Sequence, residues 1–208
     1  MIDFPQTTVV HRRIPKEAFY QHVSLAQTIK EAFVSDVDRI YIENSLTKER
    51  LNLGNDSKVK EILFLSLFVK TQEFDQRIVE AIARQNPHKL IFLLVYGDER
   101  QLALYHGKIY RTEWMPSEKM QLELNGNSLD EIWDSLIEQV ALSEEASVPQ
   151  QLASIDDRLA RQDKLQKLEK LIQKTEAATW KEPQPKKKFE LHQKLQAYKK
   201  EREEILNG

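Results

Sequence analysis

Apolar positions along the chain recur with two different periods, and each change of period marks a new element. Thr7-Thr8-Val9-Val10 reads as an extended lead-in, and Ile14-Pro15-Lys16-Glu17 as a helix start with Phe19 and Tyr20 turned inward. Leu25, Thr28, Ile29, Ala32 and Phe33 keep helical spacing and predict a helix over 24–35 with Ser24 as its cap. From Val37 the period falls to two, with Ile40 and Ile42 alternating against Arg39, Tyr41 and Glu43. Leu51 and Leu53 repeat that alternation after a turn near Thr47-Lys48, which predicts a second strand. The run 60–69 is apolar on both faces and reads as a central strand.

Phe74, Ile78, Ala81 and Ile82 mark a helix ending before Pro87, and 89–96 is a second core strand. With a helix between them, these two strands form a parallel pair. Segments 89–96, 101–106 and 108–114 read as an antiparallel meander, with Met120, Leu122 and Leu124 adding a short edge strand. Ser128 and Glu131 have capping-box spacing ahead of Ile132, Trp133, Leu136, Ile137 and Val140, a further amphipathic helix. Residues 143–149 form a polar linker.

The last quarter changes character. Two charged helices, about 151–178 and 189–206, carry narrow apolar stripes: Leu152, Ile155, Leu159, Leu165, Leu168 and Ile172 on the first, and Leu191, Leu195, Tyr198 and Ile205 on the second. So narrow a stripe needs a partner, either the neighbouring helix or another chain. The six-residue step from Leu159 to Leu165 breaks the heptad, which favours an antiparallel hairpin over a long parallel coiled-coil dimer. Between the helices, Pro183 and Pro185 are expected to keep the turn extended, so that Lys186, Lys187 and Lys188 fan out. The fold class is α+β: a mixed β-sheet with flanking helices and a C-terminal antiparallel helical hairpin. Domain boundaries fall at 1–146 and 147–208.

Composition narrows the chemistry. The 208 residues include no cysteine, which removes thiolate nucleophiles, disulfides and Cys-based metal sites. The five glycines stand singly, so no phosphate loop or dinucleotide fingerprint can be assembled. The longest apolar run, Ile62 to Val69, is far short of the roughly 20 residues a membrane helix needs. A soluble cytoplasmic protein without membrane contacts is the expectation. Charge divides unevenly: residues 151–208 hold 14 Lys and Arg against 10 Asp and Glu, while the rest holds 17 against 23.

No motif spells out a reaction. The histidines lack metal-ligand spacing, with His88 and His106 the pair to watch, and no metal or cofactor is called for. Asp36, Asp38, Glu43, Glu61 and Lys60 are the raw material for a metal-dependent nuclease, though no Glu-x-Lys follows an Asp-bearing strand. Ser66, inside an apolar run, reads as a small core residue. Arg12, Arg13 and Lys16 form the densest basic patch of the body, able to hold phosphate. Lys181 and Lys186, Lys187 and Lys188 form a second candidate phosphate contact. Leu152, Ile155, Leu159, Trp180, Leu191, Leu195 and Tyr198 are the candidates for partner binding.

Several segments together carry a resemblance. They are Phe4-Pro5, Arg13-Ile14-Pro15-Lys16, Phe19-Tyr20, Ile40-Tyr41 with its Leu46-Thr47 turn, and Asn86-Pro87-His88-Lys89 before the strand ending at Tyr96. Phe189-Glu190-Leu191-His192-Gln193-Lys194-Leu195 completes the set. Over nearly its whole length the chain resembles the bacterial family called domain of unknown function 4391, departing from it at His192. Members of that family are often encoded beside helicases and DNA methyltransferases of restriction or phage-defence type. The resemblance therefore implies a non-enzymatic accessory or adaptor subunit that docks on a helicase or methyltransferase, or on a second copy of itself. The alternative is a metal-dependent nuclease, or a nucleic-acid-binding protein using the 12–16 and 181–188 patches.

Overall fold

A run of β-branched and aromatic residues builds the centre of a seven-stranded sheet. In the computed structural model, which describes residues 2–17, 26–142 and 154–207, the strands are β1 (Val9–Ile14), β2 (Val37–Thr47), β3 (Glu61–Val69), β4 (Lys89–Tyr96), β5 (Glu99–His106), β6 (Lys108–Arg111) and β7 (Met115–Pro116). Their order is β1-β2-β3-β4-β5-β6, with β7 paired to the end of β5. Only β3 and β4 are parallel, and helix α2 (Arg77–Gln85) makes the crossover between them. The antiparallel pairs β4–β5 and β5–β6 are joined by tight turns, as strand geometry allows, while β2 and β3 are linked through the longer segment 48–60.

Alternation sends the strand side chains to two faces. Leu65, Leu67, Phe92, Leu94 and Ala103 meet Phe33 of helix α1 (Gln27–Asp36) and Ile78, Val79 and Ile82 of α2. Phe64, Ile91, Leu102 and Leu104 face the other way, the side on which helix α3 (Leu129–Ala141) packs with Ile132, Trp133 and Leu136. Each such side chain contributes about 1.5–3 kcal/mol relative to exposure. That explains why both β3 and β4 read as unbroken apolar runs.

The capping box of α3 forms with a shift of one residue. The Glu131 N–H donates to Ser128 Oγ at 3.2 Å, and Glu131 Oε2 accepts from the Asn127 N–H at 2.8 Å. Asp130, in the same first turn, accepts the N–H groups of Lys58 and Val59, both at 2.9 Å. Those two backbone bonds hold its carboxyl below the ordinary carboxylate range.

Three local expectations fail for identifiable reasons. Leu51 and Leu53 are not in a strand: the Leu51 N–H bonds to Thr47 O at 3.0 Å and the Leu53 N–H to Lys48 O at 3.0 Å, closing turns around left-handed Asn52. Met120, Leu122 and Leu124 alternate in burial but pair with no strand. Instead the Gln139 side chain of α3 satisfies both backbone groups of Glu123, at 2.8 and 2.9 Å, and acts as a strand neighbour. Of the extended lead-in, Thr7 and Thr8 lie in a 3-10 turn (Gln6–Thr8). The strand is β1, Val9 to Ile14, bulged between Val9 and Arg12, where His11 takes a φ of 41°. Lys16 and Glu17 after Pro15 are helical, as expected. Helix α1 starts after Ala26 without a side-chain cap, and Phe19, Tyr20, Ser24, Leu25, the 143–149 linker and Leu152 lie outside the described residues.

The chain divides into two compact units, Met1–Ala141 and Leu142–Gly208. The second contains helices α4 (Ile155–Lys181) and α5 (Pro185–Asn207), packed on each other as a hairpin. Ser154 caps α4 by accepting the Asp157 N–H at 3.2 Å. Leu159, Leu165, Leu168 and Ile172 bury along one side of α4, and Leu195 buries on α5. Lys164 pairs with Glu201 at 3.1 Å and Lys199 with Glu176 at 2.6 Å, while Arg161 donates to the Leu206 carbonyl at 3.1 Å. These cross-helix bonds fix the antiparallel direction.

Candidate functional site: the tip of the hairpin

Two prolines set the geometry of the hairpin end. Glu182 closes α4 with its N–H on Ala178 O at 3.0 Å, and its carboxylate accepts the Gln184 N–H at 2.9 Å. Pro185 is the first residue of α5, where its missing N–H is not needed and its fixed φ already suits a helix. Lys186, Lys187 and Lys188 therefore lie in the first helical turn, and the Lys188 N–H bonds to Gln184 O at 2.9 Å. The extended lysine turn expected from Pro183 and Pro185 is not what forms, because a proline that ends one helix can equally begin the next.

The tip exposes aromatic surface beside these cations. Trp180, one residue from the end of α4, is 84% exposed, and Phe189 in α5 is 62% exposed. Lys181, Lys186, Lys187 and Lys188, in the same stretch of chain, are all exposed as well. Cations at the start of a helix oppose its dipole, at a cost of about 0.3–1 kcal/mol each. Helix stability thus gives no reason for three lysines there.

The other candidates for partner binding fare differently. Leu159 and Leu195 are buried in the hairpin, while Ile155, Leu191 and Tyr198 are half-buried. Phe189 carries no weight in the sequence beyond its family motif. The signal for it was present, since it falls outside the 191–195–198 stripe and so cannot share the buried face.

The basic patch of the body is split by strand alternation. Arg13 pairs with Tyr41 and Arg12 with Ile42, so their side chains leave opposite faces of the sheet. Arg13 and Lys16 instead meet Arg39, Asp38 and Glu17 around a cavity of about 390 Å³. Lys16 donates to the Val37 carbonyl, and burial, followed by the nearby charge of Lys70, lowers its pKa. Next to this patch, His11 stacks on Tyr41 with ring centroids 5.3 Å apart and bonds Glu43 at 2.7 Å.

The carboxylates considered for metal chemistry are each engaged separately. Asp36 accepts the Asp75 N–H at 3.1 Å, Asp38 pairs with Arg39 at 3.0 Å, and Glu61 accepts from Ser45 at 2.5 Å and pairs with His88 at 3.3 Å. Among the described residues no group of three His, Asp or Glu is placed to hold a metal ion. No described helix is long and apolar enough to cross a membrane.

An open mixed sheet covered by helices on both faces, with a two-helix hairpin ending in exposed aromatics and lysines, defines an α+β protein with a helical appendage. The chain belongs to the bacterial family described as Domain of unknown function (DUF4391), whose model matches residues 2–201. No curated protein and no solved structure matches it.

Proposed function

We infer that this protein is a non-enzymatic accessory subunit of a bacterial nucleic-acid-processing system of restriction or phage-defence type. It docks on a helicase or methyltransferase through the hairpin tip. The supporting observation is the 84% exposure of Trp180 beside exposed Phe189. Buried tryptophans are the usual anchors of protein interfaces, and one left in solvent on a rigid helix end is poised for that role. The four lysines and the positive end of α5 select an acidic surface on the partner and speed encounter with it.

The test is co-expression with a helicase or a DNA methyltransferase of restriction or phage-defence type, followed by size exclusion. Trp180→Ala with Phe189→Ala weakens the complex at least ~30-fold, the loss of about 2 kcal/mol expected of an anchor. A complex that forms undiminished in this double variant sinks the tip as the docking site.

A second reading has its own support. Three lysines at a helix N-terminus also make a phosphate site, and exposed aromatic rings offer stacking surfaces to single-stranded DNA. In that case, changing Lys186, Lys187 and Lys188 to alanine lowers the salt slope of DNA binding by about 2. An unchanged slope removes this reading.

A further inference from the structure

The loop 70–76 leaves the carboxyl end of β3 and leads into α2. In open sheets with parallel strands, the crevice beyond such an end is the habitual place for ligands. Here it is a cavity of about 470 Å³. That volume lies within the range of small-molecule sites.

The most informative wall residue is Gln101 on β5, only 2% exposed. Its Nε2 donates to the Thr112 carbonyl at 2.7 Å. Thr112 is itself fixed, donating its N–H to Leu102 O at 3.0 Å and accepting the Leu102 N–H on Oγ1 at 3.1 Å. This clamp settles which end of the amide carries the oxygen. Gln101 Oε1 has no hydrogen-bond partner among the described residues. A buried acceptor left without a donor costs about 1–3 kcal/mol, so this oxygen favours any N–H or O–H donor that can reach it.

The remaining lining has the same polarity. Glu73 and Glu113 bring two carboxylates to the cavity, against one cation, Arg111. With its amide oriented to suit both groups, Gln76 accepts from Arg111 at 3.1 Å. Gln72 is bonded to Glu99. Trp114, half-buried, adds an aromatic wall. The cavity thus offers acceptors, negative charge and a π face.

We propose that the cavity beyond the carboxyl end of β3 binds a guanidinium group, which donates an N–H to Gln101 Oε1 and another to Glu113 while its plane lies on Trp114. A guanidinium suits these partners better than an ammonium. Its coplanar N–H groups serve an amide oxygen and a carboxylate together, and its flat face stacks on indole. The group comes either from a free small molecule or from an arginine side chain of a peptide. This site is separate from the hairpin tip and does not depend on the reading given to it.

The experiment is an NMR titration of the full-length ¹⁵N-labelled chain, following the Gln101 side-chain amide and the Trp114 indole N–H. The probes are N-ethylguanidinium, a blocked Ala-Ala-Arg-Ala-Ala peptide and n-butylammonium. Saturable shifts of both resonances by a guanidinium probe at millimolar concentration are expected. Glu113→Gln, an exposed change that leaves the fold intact, should weaken binding about 2–5-fold, the worth of an exposed charge pair. Gln101→Leu should abolish saturation. Tighter binding of the peptide than of N-ethylguanidinium assigns the source to an arginine side chain, and the reverse order to a free ligand. Absence of saturable shifts with both guanidinium probes overturns the site, as does affinity unchanged in both variants. Equal or tighter binding of n-butylammonium overturns the guanidinium assignment.

Discussion

At the scale of single residues, two kinds of position separate structural need from spare capacity. Gly126 has a φ of 146°, and a Cβ built there would lie 2.7 Å from Glu131 Cβ and 2.8 Å from the Ile132 nitrogen. Gly97, at a φ of 53°, has open space around it. Gly126→Ala should therefore cost several kcal/mol, or about 3 at least, while Gly97→Ala costs about 1–2, the left-handed penalty alone. Chemical denaturation of the two variants checks the order. Asp130 makes a pH prediction. Its folded pKa lies below the ordinary 3.8, so its contribution is fully present above that value. The contribution is lost as pH falls through the lower folded value. Asp130→Ala should cost about 1–2 kcal/mol at pH 7 and progressively less as the pH is lowered below 3.8, read from melting across that range. Neither residue could be ranked from the sequence. Asp130 looks like any first-turn acid until Lys58 and Val59, some seventy positions earlier, are placed against it.

At the scale of elements, period and composition carried most of the architecture. The parallel β3–β4 pair, the meander through β6 and both tail helices were legible because each buries a face whose spacing is written in Leu, Ile, Val and Phe. What the pattern misses is the identity of the neighbour. Met120 to Leu124 alternates as a strand does, yet its backbone is satisfied by Gln139, and no local signal distinguishes a side-chain amide from a strand. The candidate site was legible in part. Trp180 and the lysines stood out, whereas the convergence of Arg13 with Arg39 depends on the β1–β2 register. The hairpin supplies the prediction for this scale. Leu195→Ala should destabilise it by about 2–5 kcal/mol, lowering helical signal in circular dichroism, while Phe189→Ala stays within about 0.5 kcal/mol. A comparable loss from both would mean that Phe189 is packed rather than presented.

At the scale of the whole molecule, the sheet edge and the tail put their charges to different uses. Strand β1 forms one edge, with a bulge at His11 and the side chains of Arg12 and Arg13 exposed. Bulges and charges are what keep an edge from pairing with another chain. The basic patch therefore has a structural role even if it never meets phosphate, and Arg12→Val with Arg13→Val should promote aggregation measurable by light scattering. The tail has no edge to protect. Its short link, Glu182 to Gln184, instead makes the two helices answer to each other. A residue inserted in the middle of α4 alone would turn Trp180 about 100° around the helix axis relative to the buried face of Leu159 and Leu165. Length in this hairpin can accordingly change only in matched pairs. Seven residues added to both helices would lengthen it by about 10 Å and leave the tip chemistry in register, whereas seven added to one would not. The appendage behaves as a spacer whose two arms lengthen only together, and its reach can be altered without altering what it carries.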